Sequence, residues 1–200
     1  LLTSTDIAVA HLGDSRAALF HAASGVCEPI TRDNSPFADV EDVDGDDDHA
    51  ATNNFYAAER ERVLKAGGKI DNGYIVSGGL RINMSRTLGN FSAKQNLDLL
   101  EVEQVVTAQP DVWTGKRVPG DYLVLACDGI WDVMSEQALG MFLGPRIIVA
   151  LPSSTSGAGL TQTCVEVCDE CFRLNSADNM PVTLVDAGDF THSSNIKGEG

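Results

Sequence analysis

Three acids stand at the ends of apolar runs, and they carry most of the chemistry this chain could do. In Asp121-Tyr122-Leu123-Val124-Leu125-Ala126-Cys127-Asp128-Gly129-Ile130-Trp131-Asp132, an unbroken run of strand length ends in Asp128 and Gly129, with Asp132 shortly after. Asp14 follows the run that begins at Ile7, and Asp178 precedes the run Val182 to Val185. Burying an unpaired carboxylate costs several kcal/mol, so each acid must stay solvated, accept hydrogen bonds or hold a cation. Read locally, each is equally a solvated loop acid or a turn former bonded to its own backbone. If their strands bring them to one rim, each close pair repels by ~4 kcal/mol at an effective dielectric of about 20, and a divalent cation reverses that sign. Hard oxygen donors with no His/Cys set beside them suit Mg²⁺ or Mn²⁺ rather than zinc. Two such ions about 3.5–4 Å apart lower the pKa of a shared water and clamp an in-line displacement at phosphorus. The reaction class this predicts is metal-assisted hydrolysis of a phosphate ester.

The elements that must position these acids follow from pattern and punctuation. Asp121 to Ala126 has no alternation towards water and reads as a strand buried on both faces. Asp6 to His11 and Ala17 to His21 read as a hairpin around Gly13-Asp14-Ser15-Arg16, with a third strand over Val26 to Thr31. Asp39 to Asp48 is almost wholly acidic and reads as a surface loop, since like charges at that density bury no core. A calcium loop there would need ordered ligand spacing and a closing Glu, which are missing. Asn54 to Ala66 reads as a helix closed by Gly67-Gly68, with Phe55, Ala58, Arg62 and Lys65 on faces neighbouring Val63 and Leu64. Extended pieces at Ile70 and Tyr74 to Val76 meet a turn at Ser77-Gly78-Gly79. A short helix is expected over Leu80 to Asn90, a mobile flap over Phe91 to Glu103, and a strand over Val105 to Pro110. Ser135 is the expected N-cap of a helix towards Leu143, Pro152 to Gly159 a loop, and Leu160 to Asn175 a second helix. Val182 to Asp186 is the last strand, and Phe190 to Gly200 a frayed tail. Strands in runs with few helices between them, and no fixed-period repeat, suit an α+β layered domain with antiparallel sheets.

Composition narrows the partners. At 200 residues the chain can build one domain with a substantial core. Its net charge of −15 repels phosphate backbones, which argues against nucleic acid. No window approaches the ~20 uncharged apolar residues of a membrane span. The five cysteines, an odd number without a secretory pattern, point to reduced thiols in an intracellular, cytoplasmic setting. Cys164, Cys168 and Cys171 fall on one helical face near Val165 and Phe172 and read as core packing rather than a soft-metal site. His11, His21, His49 and His192 show no spacing that suggests a relay.

The ordered set Gly13-Asp14-Ser15-Arg16, Thr31-Arg32-Asp33 with Pro36, Ala66-Gly67-Gly68, Ser85-Arg86-Thr87-Leu88-Gly89, Gln109-Pro110-Asp111, Asp128-Gly129-Ile130-Trp131-Asp132 and Asp178-Asn179-Met180 resembles the second half of a metal-dependent serine/threonine protein phosphatase of the 2C type. The resemblance implies a sandwich of two antiparallel β-sheets flanked by helices, here without its N-terminal strands. Residues 1–190 would be the C-terminal portion of the catalytic domain with an acidic insertion at 38–50, and 191–200 a tail. It also implies hydrolysis of phosphoserine or phosphothreonine in a protein substrate by water at a two-metal Mg²⁺ or Mn²⁺ centre, by a protein taken as monomeric. Carried over, Asp128 and Asp178 match acids that hold the first ion. Asp14 matches an acid that with Asp128 supports a third, weaker ion, and Asp132 would act through water. Gly129, Asn179, Ser15 and Arg16 would hold the ligand loops, while Arg16 and Arg86 read as scaffold ion pairs before phosphate grippers. The family's Glu-Asp pair, its Asp-Gly-His-Gly-Gly segment with the bridging Asp, and its phosphate-gripping Arg do not occur among these residues, and Asn90 stands where the family usually has Asp. These 200 residues alone are therefore expected to have little or no activity. A phosphatase-like scaffold or regulatory domain without chemistry is the alternative.

Overall fold

The computed structural model describes residues 1–37, 47–150 and 158–187. They form two compact units. One takes Leu1–Val9, Ser15–Thr31 and the described residues from Val112 onward, and the other takes Ala10–Asp14 and the described residues of Arg32–Asp111.

The first unit is layered around one sheet. Strands β1 (Asp6–His11), β2 (Arg16–His21), β3 (Val26–Pro29), β7 (Asp111–Lys116), β8 (Asp121–Ala126) and β9 (Val182–Asp186) supply it, most of β1 and β7 included. The four-stranded sheet has the order β3-β2-β8-β9, and all its pairs are antiparallel. Period-2 alternation splits its side chains between two cores. Ala17, Leu19 and Leu123 pack with Ile7 and Ile30, against Val9 and Trp113 of the separate β1–β7 sheet. Ala18, Phe20, Tyr122, Val124 and Leu184 pack the other way, against helices. Burial on both faces is why the β8 segment carries no polar alternation.

Those helices are α2 (Asp128–Trp131), α3 (Glu136–Ala150) and α4 (Ala158–Arg173). Ser135 caps α3 as expected, its Oγ accepting the Ala138 N–H at 3.3 Å. α3 runs well past Leu143, burying Leu139, Leu143 and Ile147 on one stripe with Pro145 inside the helix. On α4 the buried stripe is Val167 and Cys171, with half-buried Leu160 and Cys164 packed against the same core. Val165 and Phe172 lie off that stripe and are exposed.

The second unit has helix α1 (Asp47–Lys65) and a three-stranded antiparallel sheet, β4 (Lys69–Asp71), β5 (Tyr74–Ser77) and β6 (Leu80–Ile82). Val63, Ala66, Ile75, Ala93, Val105 and Val106 form its core. Gly67 ends the helix at φ +89°, and the Gly68 N–H donates back to Val63 O at 2.9 Å, a C-terminal closure that needs no side chain at Gly67.

Antiparallel sheets with helices bear out the expected α+β class. Several elements differ. Asp6–His11 and Arg16–His21 are not a hairpin, because β1 pairs with β7 while β2 pairs with β3 and β8, so the Gly13–Arg16 turn passes between sheets. Asp47 and Asp48, expected in the acidic loop, open α1, and residues 38–46 of that loop lie outside the described residues. Leu80 begins a strand rather than a helix, since β5 offers Leu80, Arg81 and Ile82 a paired edge. The strand expected over Val105 to Pro110 instead starts at Asp111, and Thr107 makes only an isolated bridge to Arg86. The Phe91 to Glu103 segment carries two 3-10 turns, Phe91–Ala93 and Glu101–Glu103, and Gln104 Nε2 donates to Asn96 O at 2.7 Å and Leu99 O at 3.2 Å. Most of the Pro152 to Gly159 loop and the tail lie outside the described residues. Among the described residues no helix is long and apolar enough to cross a membrane.

A close backbone approach in the first unit lies where α3 crosses the start of β3. A Cβ at Gly140 would lie 2.6 Å from Gly25 O and 3.2 Å from the Cys27 N, and backbone cannot step aside as a side chain can. Gly140→Ala is therefore expected to cost on the order of 1–3 kcal/mol, seen as a lower urea midpoint at unchanged slope; an unchanged midpoint would contradict this packing.

Candidate metal centre

Register places two of the acids side by side. β8 and β9 are antiparallel with Ala126 opposite Val182, so the chain leaving β8 and the chain entering β9 meet at the same end of the sheet. Asp128 lies two residues beyond that pair on one side and Asp178 four residues before it on the other. Three contacts hold the two segments together. The Cys127 N–H donates to Pro181 O at 3.3 Å, the Cys127 Sγ–H donates to Asn179 O at 3.0 Å, and the buried Ser176 Oγ–H donates to Gly129 O at 2.6 Å.

Gly129 makes this approach possible. A Cβ there would fall 2.1 Å from Asn179 O and 3.2 Å from the Asp178 Cβ, so any side chain would drive the segments apart. Asp128 Oδ1 accepts the Gly129 N–H at 2.9 Å, and Asp178 Oδ1 accepts the Asn179 N–H at 2.7 Å. Neither carboxylate accepts another hydrogen bond among the described residues. Asp128 is half-buried, and Asp178, Asn179 and Asp132 are exposed; Asp132 caps α2, its N–H donating to Asp128 O at 2.8 Å.

The neighbouring thiols serve as hydrogen-bond donors. Burial pushes the Cys127 and Cys168 thiols up and the Cys171 thiol up to about 11, so all three stay protonated near neutrality. Cys127 and Cys168 act as donors, the latter to Met180 O at 3.2 Å, and together they brace the backbone just after Asp178. What remains are two hard carboxylates, a donor type that fits Mg²⁺ or Mn²⁺, although a six-oxygen shell needs more than two side chains. Among the described residues no group of three or more His, Cys, Asp or Glu is gathered closely enough to hold an ion.

Asp14 belongs to the second unit. It is half-buried, and its Oδ2 accepts the Asn83 Nδ2–H at 3.1 Å. The preceding Gly13, at φ +92°, donates its N–H to Asn34 Oδ1 at 3.0 Å and accepts the Asn34 N–H at 2.8 Å. Ser15 is exposed, and Arg16 pairs with Glu136 at 3.4 Å within the first unit, as a scaffold ion pair would.

A buried ionic network in the second unit was not foreseen from the sequence. Glu59 is 4% exposed and accepts from Arg62 Nη2 at 2.8 Å, Arg86 Nη2 at 2.8 Å, Arg86 Nε at 3.1 Å and the Ser85 hydroxyl. Burial alone would raise the Glu59 carboxyl, but hydrogen bonds from Arg86, Arg62 and Ser85 outweigh it and bring it to about 2. Arg86 also pairs with Asp111 at 2.9 Å, so it is a scaffold residue, as expected. The available signal was period: Glu59 and Val63 stand four residues apart on one buried stripe of α1.

Residues 1–180 match the family model described as protein phosphatase 2C. "Probable protein phosphatase 2C 58" of Oryza sativa subsp. japonica is 35% identical over 191 residues, covering 92% of this chain and 44% of that protein. "Probable protein phosphatase 2C 60" of Arabidopsis thaliana is 37% identical over 183 residues, covering 88% of this chain and 43% of that protein. Among solved structures, a phosphatase from a pathogenic strain of Toxoplasma gondii superposes with a TM-score of 0.65 at 25% identity, over 90% of this chain and 47% of that one. The chain thus spans less than half the length of these relatives.

The Gly129 geometry makes its own prediction. Gly129→Ala should separate the two acidic segments, and backbone amides between Ser176 and Met180 should exchange on the order of tenfold faster, with those of β8 little changed. Unchanged protection of that segment would contradict the contact.

Proposed function

Because the chain belongs to the protein phosphatase 2C family, we propose that the full-length protein hydrolyses phosphoserine and phosphothreonine in protein substrates, and that Asp128 and Asp178 hold Mg²⁺ or Mn²⁺ for that reaction. The observation that carries this reading is the meeting of these two acids at one end of the β8–β9 pair, across a glycine that admits no side chain. The family is a metal-dependent one. When bound, a divalent ion offsets the mutual repulsion of the carboxylates, polarises a phosphoryl oxygen and acidifies water.

The protein's own part is to hold the donors still. Asp128 is fixed by its place just beyond a strand buried on both faces, and Asp178 by the thiol and hydroxyl donors that brace residues 176–180. Asn179 shapes that loop through its backbone carbonyl, and Gly129 through its missing side chain. Asp14 would serve a further, weaker ion, its carboxylate oriented by Asn83. Ser15 and Arg16 would steady the turn that carries it, and Asp132 would act through water. In this proposal residues 1–190 are the C-terminal portion of the catalytic domain, with 38–50 an acidic insertion. The 200 residues alone, without an Asp-Gly-His-Gly-Gly segment, should turn over little substrate. Five unpaired cysteines support an intracellular, reducing compartment, and we take the protein to act as a monomer.

The full-length protein with Mn²⁺ should dephosphorylate a phosphothreonine peptide and stop when the metal is chelated. Asp128→Asn should lower turnover on the order of a hundredfold or more. Normal turnover by that variant would remove Asp128 from the ligand set.

A further inference from the structure

We infer that Glu59 is a positioning residue for the Asp14 turn, acting through a continuous chain of hydrogen bonds across Arg86, Asp111 and Asn34 to Gly13. The inference rests on the proposed role of Asp14 in holding a divalent ion.

Each link is a directional contact, and every member lies in the second unit. Glu59 receives Arg86 through two nitrogens, Nε at 3.1 Å and Nη2 at 2.8 Å, which fixes the plane of the guanidinium. The remaining Arg86 nitrogen, Nη1, donates to Asp111 Oδ1 at 2.9 Å and Gln109 O at 3.2 Å. The other Asp111 oxygen accepts the Asn34 Nδ2–H at 2.9 Å. Asn34, fully buried, uses its Oδ1 to accept the Gly13 N–H at 3.0 Å and its own N–H to donate to Gly13 O at 2.8 Å. Both polar groups of Gly13, the residue before Asp14, are therefore held by one side chain and its backbone.

A second route runs in parallel. Ser85 Oγ sits against Glu59 Oε2 and, at 3.0 Å, against Asn34 O, sharing its one proton between them, and the Ser85 N–H donates to Asn34 O at 2.7 Å. Two residues earlier in the chain, Asn83 reaches the Asp14 carboxylate itself. The turn has little slack: a Cβ on Gly13 would lie 3.0 Å from the Met84 Sδ, at a φ that side-chain-bearing residues avoid.

Stability alone is a poor reason for this arrangement. A buried ion pair is often no more stabilising than an apolar group of the same volume, whereas it fixes geometry closely. Here the geometry fixed is that of Gly13, and outer groups of this kind tune metal affinity by orienting the ligand.

The test uses the full-length protein and the variants Glu59→Gln, Asp111→Asn and Asp14→Asn. Asp111→Asn weakens the chain at its midpoint without leaving a buried charge unpaired at Glu59, so it stands if Glu59→Gln fails to fold. Without metal, the Gly13 amide should exchange about tenfold faster in Glu59→Gln and Asp111→Asn, with the β8 amides unchanged. With metal, the Mn²⁺ concentration for half-maximal activity should rise about tenfold in either variant, and neither should add to the effect of Asp14→Asn. Unchanged exchange at Gly13, or a Mn²⁺ shift of the same size in the Asp14→Asn background, overturns the inference. If Asp14→Asn alone leaves the Mn²⁺ requirement as in the wild type, the reading of Asp14 fails first and takes this inference with it.

Discussion

The antiparallel pairing of β8 with β9 is the constraint on which the rest of the site depends. Once Ala126 is set opposite Val182, the distance along each strand to its acid is fixed, and the two carboxylates have to share one end of the sheet. A one-residue slip would turn Val124 or Leu184 out of the helix-side core and towards the opposite one, so the register is protected by packing on both faces. The electrostatic cost of two acids in one place is thus borne by packing some residues away, in a sheet covered on both sides.

That division of labour explains the unusual composition of the rim. The donors that brace the backbone beside Asp128 and Asp178 are short and neutral: the Cys127 and Cys168 thiols donate to Asn179 O and Met180 O, and the Ser176 hydroxyl to Gly129 O. Glycine at 129 lets two backbones approach to a distance no other residue would allow. The second unit solves a similar problem by other means. There a buried carboxylate and two arginines brace the loop, where the first unit uses short neutral donors.

Much of the first unit was legible in the residues because β8 is apolar throughout and β9 follows a turn-rich stretch. A strand covered on both faces leaves a signature that neither helices nor loops share, and the acids at its end stood out for that reason. The partnership of β1 was not legible. Its run, the Gly13 turn and the run of β2 carry the local marks of a hairpin, and only the tertiary preference of β1 for β7 overrides them. Leu80 to Ile82 was misread for a related reason: three residues hold too little periodicity to tell a strand edge from a helical turn. Glu59 is easily passed over, although it falls in period with Val63, because a charged residue in a helix ordinarily faces water and its two arginine partners come from different distances along the chain. The ordered set of short motifs, each weak by itself, pointed to the family that the comparisons then established.

The account stands on Asp128 and Asp178 forming a single cation site at the β8–β9 end. Anomalous diffraction from crystals of the full-length protein grown with Mn²⁺ tests that directly. A manganese peak within coordination distance of both carboxylates is the result predicted. Manganese bound elsewhere, with these two side chains turned to water, would contradict it.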